Sequence, residues 1–416
     1  MIAADKSHQL RQDAFKIAKT AIEAVKPDEA VKRALSNISL SGNIYLVSVG
    51  KAAWQMAKAA SGVLGNRIDD GIVITKYDHV REPIPGIRCL EAGHPVPDEN
   101  TFAATEEALR MVSGLTAQDT VLFLLSGGGS ALFEKPLISA AQLQDITNQL
   151  LSCGADIVEI NTIRKRLSAV KGGRFALQCA PAKVYTIVLS DIIGDPLDMI
   201  ASGPAYPDSS TCEQAREIVA KYGLRLSAEA MARLNVETPK ELSGVTTLVT
   251  GSVRELCAAA ESAARALGYE TEILTTQLSC EAKDAGARLA QLAAEHCGRN
   301  RKMAFIAGGE TVVKLTGNGK GGRNQELALS AAAGIEGMEN VCVFSVGSDG
   351  TDGPTDAAGG YVDGQTAGTL RDMGIAIPDV LKNNDAYHAL QKVGGLVITG
   401  PTGTNVNDVA VLLLDN

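Results

Sequence analysis

Five short segments carry residue types suited to handling an anion, and each follows an apolar, β-branched run. Gly50-Lys51 follows Val49, Ser126-Gly127-Gly128-Gly129-Ser130 follows Leu125, and Asp191 comes just after Leu189. In the second half, Gly308-Gly309-Glu310 follows Ala307 and Gly347-Ser348-Asp349 follows Val346. Ligands of α/β sheets bind beyond the carboxyl ends of the strands, so these segments point to one site assembled from both halves of the chain. Three successive glycines let the backbone approach a ligand and aim N–H groups at it, a common way to hold an anion. Lys51 opens a helical pattern, where the helix dipole disfavours a cation, so an anionic partner is expected for it. No GxxxxGK[ST] occurs, and a P-loop fold is not indicated.

Further candidates depend on spacing. Asn161, Arg164, Ser168 and Lys171 fall at i, i+3, i+7 and i+10, one stripe of a helix. Ile160, Ile163, Leu167 and Val170 form a neighbouring apolar stripe. A polar stripe that borders the buried one suits the wall of a cleft, so Arg164 and Lys171 are expected to bind an anionic group. Lys165 and Arg166 are expected to face water. Gly317, Gly319 and Gly322 satisfy GxGxxG, which brings a dinucleotide fold into consideration. The preceding Val312–Leu315 run is short and reads better as a hairpin arm than as a first strand. Gly319, Gly321 and Gly322 lead into Arg323 and Asn324, where a phosphate could meet N–H groups and a guanidinium. Asp349 and Asp352 lie on a glycine loop with Asp356 close behind, which suits a hard cation such as Mg²⁺; Asp-Gly turn chemistry is the alternative. Asp191 stands nearest its strand in a second acidic group with Asp195 and Asp198, and is the candidate catalytic carboxylate. The five histidines show no metal spacing, and of them only His94 occupies a distinctive loop.

Positioning such segments takes strands that end at them. Strands are predicted over Ile44–Val49, Gly71–Thr75, Val121–Leu125, Val184–Leu189, Thr246–Val249, Met303–Ala307, Val341–Val346, Leu396–Thr399 and Val409–Leu414. Alanine-rich helical segments such as Ala52–Leu64, Val253–Leu267 and Ala282–Glu295 alternate with them. The alternation argues for βαβ units and mostly parallel sheets. A break is expected near residue 243, giving domains 1–242 and 243–416. The 416 residues include 39 basic and 48 acidic ones, a net charge of −9, so no nucleic-acid partner is expected. The eight cysteines are scattered without CxxC, as in a reducing compartment. No apolar run approaches the ~18 residues a bilayer demands, and the first 26 residues lack a signal-peptide core, so no membrane partner and a cytoplasmic location are expected.

Taken together, the motifs resemble the glycerate 2-kinases of the MOFRL type, some long labelled hydroxypyruvate reductases. The resemblance runs nearly end to end. Its segments are Val49-Gly50-Lys51-Ala52, Gly93-His94-Pro95-Val96-Pro97-Asp98, Leu125 through Leu132, Asn161 through Arg174, Ser190-Asp191 with Gly194-Asp195, and Ala201-Ser202-Gly203-Pro204. In the second half they are Gly308-Gly309-Glu310-Thr311, Gly319 through Glu326, and Ser348 through Asp356. The resemblance implies a Rossmann-like, mostly parallel domain and a smaller α/β domain with an intervening cleft. It implies ATP, Mg²⁺ and glycerate as ligands, phosphorylation at the 2-hydroxyl, and functional roles for Lys51 and Arg323. A homodimer is one assembly such a chain allows, and an NAD(P)H-dependent hydroxypyruvate reductase is the competing activity.

Overall fold

The structure, a computed structural model, describes residues 2–298 and 301–415. Its strands are β1 (Ile44–Val49), β2 (Ile68–Lys76), β3 (Ile87–Ala92), β4 (Thr120–Leu125), β5 (Lys183–Leu189) and β6 (Val245–Gly251). They continue as β7 (Glu270–Leu278), β8 (Lys302–Gly309), β9 (Val341–Gly347), β10 (Gly359–Asp363), β11 (Leu396–Val397) and β12 (Asp408–Asp415). No helix among the described residues is long and apolar enough to cross a membrane.

The first sheet has six strands in the order β3-β2-β1-β4-β5-β6. β1 pairs in parallel with β2 and β4, β2 with β3, and β4 with β5. β4 is buried along its whole length, as an apolar strand covered on both faces must be. The strand order reverses between β1 and β4, the place where doubly wound sheets leave a crevice for ligands. Val49 stands opposite Leu125 and Leu125 opposite Val188, so the segments after β1 and β4 leave the sheet level with one another.

The second sheet, in the order β11-β10-β9-β12-β8-β7, is mixed. β7 and β8 are parallel, whereas β12 runs antiparallel to both β8 and β9. The expectation of mostly parallel sheets therefore holds for the first sheet and fails for the second. No helix separates β11 from β12, so the chain has no crossover with which to enter in parallel. β8 and β9 consequently run the same way on either side of β12, and Asp408 at the start of β12 faces Gly309 and Gly347 at their ends.

The chain divides into two compact units, one of Pro27–Ser190 with Asp195–Thr250, the other of Met1–Lys26, Asp191–Gly194 and Gly251–Asn416. The break expected near 243 precedes β6, which joins the first sheet. The helix Ile2–Ala24, expected in the first domain, belongs to the second unit. Its Leu10, Ala14, Ile17 and Ala21 share a core with Val253, Leu256 and Ala260 of the helix Val253–Ala266 and with Val409 and Val411 of β12. Ile17 is fully buried there. Ile17→Ala should therefore destabilise the second unit by about 2–5 kcal/mol. Hydrogen exchange should show faster opening of β8, β9 and β12; exchange unchanged in those strands would refute the assignment.

Candidate active site

In the first unit, the ends of β1 and β4 are tied together by their backbones. The Lys51 N–H donates to Gly127 O at 2.9 Å, and the Ser126 N–H donates to Val49 O at 3.0 Å. The Ala52 N–H donates to Ser126 Oγ at 3.1 Å. This approach demands a glycine at 50, where φ is 118° and an added β-carbon would lie 2.3 Å from Ser126 Oγ. Gly128, at φ 84°, sits between the His94 and Lys51 side chains. A β-carbon there would lie 3.0 Å from His94 Nε2 and 3.2 Å from Lys51 Cγ. The Lys51 side chain is exposed, and its ammonium has no acidic partner among the described residues. Burial lowers the pKa of His94, and Lys51, Lys76 and His79 push the same way, so the ring is neutral at pH 7. An unpaired cation, a neutral imidazole and a glycine turn together can receive an anionic or hydroxylated small molecule.

A buried layer holds this turn in place. Ser130 O accepts hydrogen bonds from Lys171 Nζ at 2.9 Å and Arg164 Nη2 at 3.2 Å. Lys171 also donates to Phe133 O at 2.9 Å and lies 3.2 Å from Glu134 Oε2, both side chains being fully buried. Burial pushes the Lys171 ammonium down to about 8. Ser202 Oγ donates to Asn161 Oδ1 at 2.9 Å and lies 3.2 Å from Ser130 Oγ. Ala201 and Ser202 both adopt left-handed backbone, at φ 50° and 61°, a strained arrangement that the packing around them must sustain. Arg164 and Lys171, expected to bind an anionic group, hold the backbone of the Ser126–Ser130 turn, and Asn161 reaches the turn's Ser130 hydroxyl through Ser202.

The helix expected over 161–171 ends at Arg166. Beyond it, the Leu137 N–H donates to Leu167 O and the Ala169 N–H to Lys135 O, each at 2.8 Å, so pairing with 135–137 replaces the next helical turn. Lys165 and Arg166, expected in water, are buried instead. Lys165 Nζ donates to Asp208 Oδ1 at 3.1 Å, and Arg166 donates to Ser210 Oγ, Ser210 O and Glu237 Oε2. The partners that draw these cations inward lie far along the chain, 33 and 43 positions away for Asp198 and Asp208 of Lys165 and 71 for Glu237 of Arg166, beyond the reach of helical periodicity.

In the second unit, Arg323 lies where the segments after β8 and β9 meet the start of β12. Its Nε and Nη2 donate to the two oxygens of Asp408, and its Nη1 lies 2.9 Å from Glu310 Oε1. Burial opposes the charge on Arg323, but Asp408 and Glu310 outweigh it and raise the guanidinium pKa. Asn407 Nδ2 donates to Glu310 Oε2 and to Asp191 O, each at 3.2 Å, which holds the Asp191 segment in this unit by its backbone.

Part of the Gly317–Gly322 segment is engaged in packing and hydrogen bonding within the second unit. The N–H groups of Thr316 and Gly317 donate to Asn384 Oδ1, that of Gly319 to Asn383 O, and that of Lys320 to Asp385 Oδ1. A β-carbon at Gly317 would lie 2.4 Å from Asn383 Cα, and one at Gly319 2.5 Å from Asp385 Cβ. These two glycines answer to close packing on residues 383–385. The amides of Gly321, Gly322 and Arg323 are not among those bonded. Asp352 also departs from expectation. Its Oδ1 accepts from the Asn324 N–H at 3.1 Å and its Oδ2 from the Gln325 N–H at 2.9 Å, so it caps the helix Arg323–Gly334. Asn324, expected to meet phosphate, is buried and hydrogen-bonded to Asp352 and Ser345. Asp349 Oδ1 accepts from the Thr351 N–H at 2.9 Å, a turn bond. Asp349 and Asp352 therefore do not fit as an Mg²⁺ pair, and no metal-holding group of three or more His, Cys, Asp or Glu occurs among the described residues.

Glu134, Asp408 and the 383–385 segment escaped the sequence reading, and Ser202 stood in the Ala201–Pro204 motif without a role. Asp408 had one usable signal, an acid at the very start of an apolar strand; Glu134, within Phe133-Glu134-Lys135, had none.

Comparison with known proteins places the chain among the glycerate kinases. Residues 13–235 match a domain of unknown function, DUF4147, and residues 303–408 match the MOFRL family. The D-glycerate 2-kinase of Thermotoga maritima is 54% identical, over 97% of this chain and 98% of its own. The glycerate 2-kinase of Pyrococcus horikoshii is 40% identical over 100% and 98%. A putative hydroxypyruvate reductase of Agrobacterium vitis is 38% identical over 97% and 94%. A crystal structure of glycerate kinase from Thermotoga maritima matches with a TM-score of 0.94 at 54% identity, over 98% of this chain and 100% of that one.

Two outcomes follow from the buried charges. Lys165→Ala strands the buried Asp208 carboxylate and should destabilise the first unit by about 3–5 kcal/mol, and Arg166→Ala, which removes a second cation from Asp208 and the donors to Ser210, should also destabilise it; denaturant unfolding within about 0.5 kcal/mol of wild type, on the order of a surface change, would contradict the burial. Burial pushes Asp352 up to about 6, against ~3.9 in an unfolded chain. The folded chain binds the extra proton between those values, so this group's contribution to stability is full below about pH 4 and is lost as pH rises to about 6. Asp352→Asn should remove that slope, on the order of 2 kcal/mol, and parallel profiles for the two proteins from pH 4 to 7 would refute it.

Proposed function

Because the chain belongs to the MOFRL-type glycerate 2-kinase family, we propose that it transfers the γ-phosphoryl group of ATP to the 2-hydroxyl of D-glycerate. The hydroxyl oxygen forms a bond to the γ-phosphorus, and the bond from that phosphorus to the β–γ bridging oxygen breaks. ADP leaves with the bonding electrons, the hydroxyl gives up its proton, and 2-phosphoglycerate results. ATP is the donor, with Mg²⁺ as the ion that accompanies its phosphates; no step is assigned to Asp349 or Asp352. The observation that carries the reading is the exposed, unpaired Lys51 beside His94 and the Ser126–Ser130 turn, in a chain matching a D-glycerate 2-kinase nearly end to end.

Phosphoryl transfer asks a protein chiefly to position its reactants and to stabilise charge spread over the moving group. Lys51 supplies a fixed cation, and the glycine turn supplies backbone at close approach. His94, neutral and without a hydrogen-bond partner among the described residues, is free to meet a substrate oxygen. Asn161, Arg164 and Lys171 act through the turn they brace. Arg323, whose guanidinium is held by Asp408 and Glu310, is assigned no step. A reductase reading drew on GxGxxG, but Gly317 and Gly319 are occupied in packing on residues 383–385, and no parallel first strand leads into them.

Incubated with D-glycerate, ATP and Mg²⁺, the protein should release ADP and a product phosphorylated at the 2-position, identified by phosphorus NMR. NADH oxidation with hydroxypyruvate in place of ADP formation would overturn the reading. Lys51→Ala should lower kcat by on the order of 10²-fold, more than it raises KM, since a cation acting on developing charge is felt mainly in the transition state. A variant with wild-type kcat would make Lys51 peripheral.

A further inference from the structure

We propose that a cavity of about 810 Å³ in the second unit holds the adenosine part of the nucleotide. This rests on the kinase reading above and assigns one end of one substrate. The volume falls within the roughly 300–1,000 Å³ common for small-molecule sites. Val312, Val313, Leu315 and Pro354 give it an apolar wall, and Glu326 and Asn384 add polar groups. Val312 and Leu315 are 54% and 81% exposed, so their apolar surface has no cover from the protein.

Charge decides which part of which substrate belongs here. Arg323 is the cation among the lining residues, and it is already engaged by Asp408 and Glu310. Glu310 and Glu326 line the same cavity, and Asp352 occupies the nearest helix amides. The N–H groups of Thr316, Gly317, Gly319 and Lys320 are taken by residues 383–385, so the glycine segment cannot wrap a triphosphate with them. Carboxylates thus outnumber cations, which disfavours both the phosphates and the carboxylate of glycerate. An uncharged, flat, partly apolar group that offers N–H and O–H donors suits the lining. Of the two substrates, only ATP has such a part: the purine covers apolar side chains, and its amino group and the ribose hydroxyls can donate to the Glu310 and Glu326 carboxylates. Glycerate, a small hydroxy acid, would leave the apolar wall wet.

Val312 and Leu315 are exposed enough for substitution without loss of the core. Adenosine, which carries no phosphate, should bind the wild-type protein in a calorimetric titration, and Val312→Asp and Leu315→Asp should each weaken it tenfold or more. The same variants should raise KM for ATP by a similar factor, while KM for glycerate stays within twofold. Circular dichroism confirms that each variant is folded before it is scored. Absence of adenosine binding to the wild-type protein up to millimolar concentration would overturn the proposal, as would variants that raise KM for glycerate and spare ATP. Failure of the kinase reading would show separately, as no ADP released by the wild-type protein, and would leave the adenosine titration to be read on its own.

Discussion

A buried backbone N–H or C=O without a partner costs about as much as a lost hydrogen bond, and that constraint organises both sets of strand-end residues. Where parallel strands stop, their ladders stop too, and the next residues must find partners elsewhere. After β1 and β4 the solution is mutual, with Lys51 N–H on Gly127 O and Ser126 N–H on Val49 O. Ser130 O, one turn on, is answered by two cations, Lys171 and Arg164. In the second unit the donors after β8 are answered by Asn383, Asn384 and Asp385, and the first donors of the helix Arg323–Gly334 by Asp352. Each answer leaves a few groups uncommitted, and those can serve a ligand. Lys51 Nζ and the His94 ring are such groups in the first unit.

The same accounting explains the basic run from Arg164 to Arg174. Its cations lie within the first unit and share a few carboxylates there: Lys171 pairs with Glu134, Lys165 with Asp208, and Arg166 with the half-exposed Glu237 and the Ser210 oxygens. Arg174 donates to the carbonyls of Lys165, Arg166 and Ser168. A buried pair of this kind adds little net stability over an apolar replacement, whereas removing one partner is severe. What it does supply is direction: the backbone around residues 165–169 is held by Arg174 and against residues 135–137, while Arg164 and Lys171 reach Ser130 O.

These pairings mark the limit of what could be read from the sequence. Strand ends were legible, because an apolar run that stops at glycine and a polar residue announces both the strand and its edge; β1, β4, β5, β8 and β9 are found where the runs predict them. The glycine turn and Lys51 were legible for the same reason. Strand order and direction were not, and β12 entering antiparallel between β8 and β9 leaves no mark in periodicity. Nor do Asp408 and Glu134, whose roles depend on partners 85 and 37 positions away, the latter separation being that from Lys171. Lys165 and Arg166 were misread because helical spacing reports the angle around an axis and is silent about which carboxylates lie opposite. Asp349 and Asp352 show the converse error. Two acids on a glycine loop have the composition of a cation site, yet one closes a turn and the other caps a helix.

The two units end up with opposite electrostatic character at equivalent positions, the carboxyl ends of their strands. In the first, the carboxylates near the turn are spent on supporting cations, and Lys51 remains unpaired. In the second, the guanidinium of Arg323 is spent on Asp408 and Glu310, and carboxylate character remains. Burial raises the pKa of Asp352, Asp408 and Glu326 alike, which marks their charges as costly in that setting. A further anion added there would raise that cost, whereas a neutral donor would relieve it. Beside Lys51 the reverse holds, because an anion there meets a cation with no competing partner and a neutral ring able to donate or accept. The first setting suits a group whose negative charge can develop further, and the second an uncharged group that offers donors.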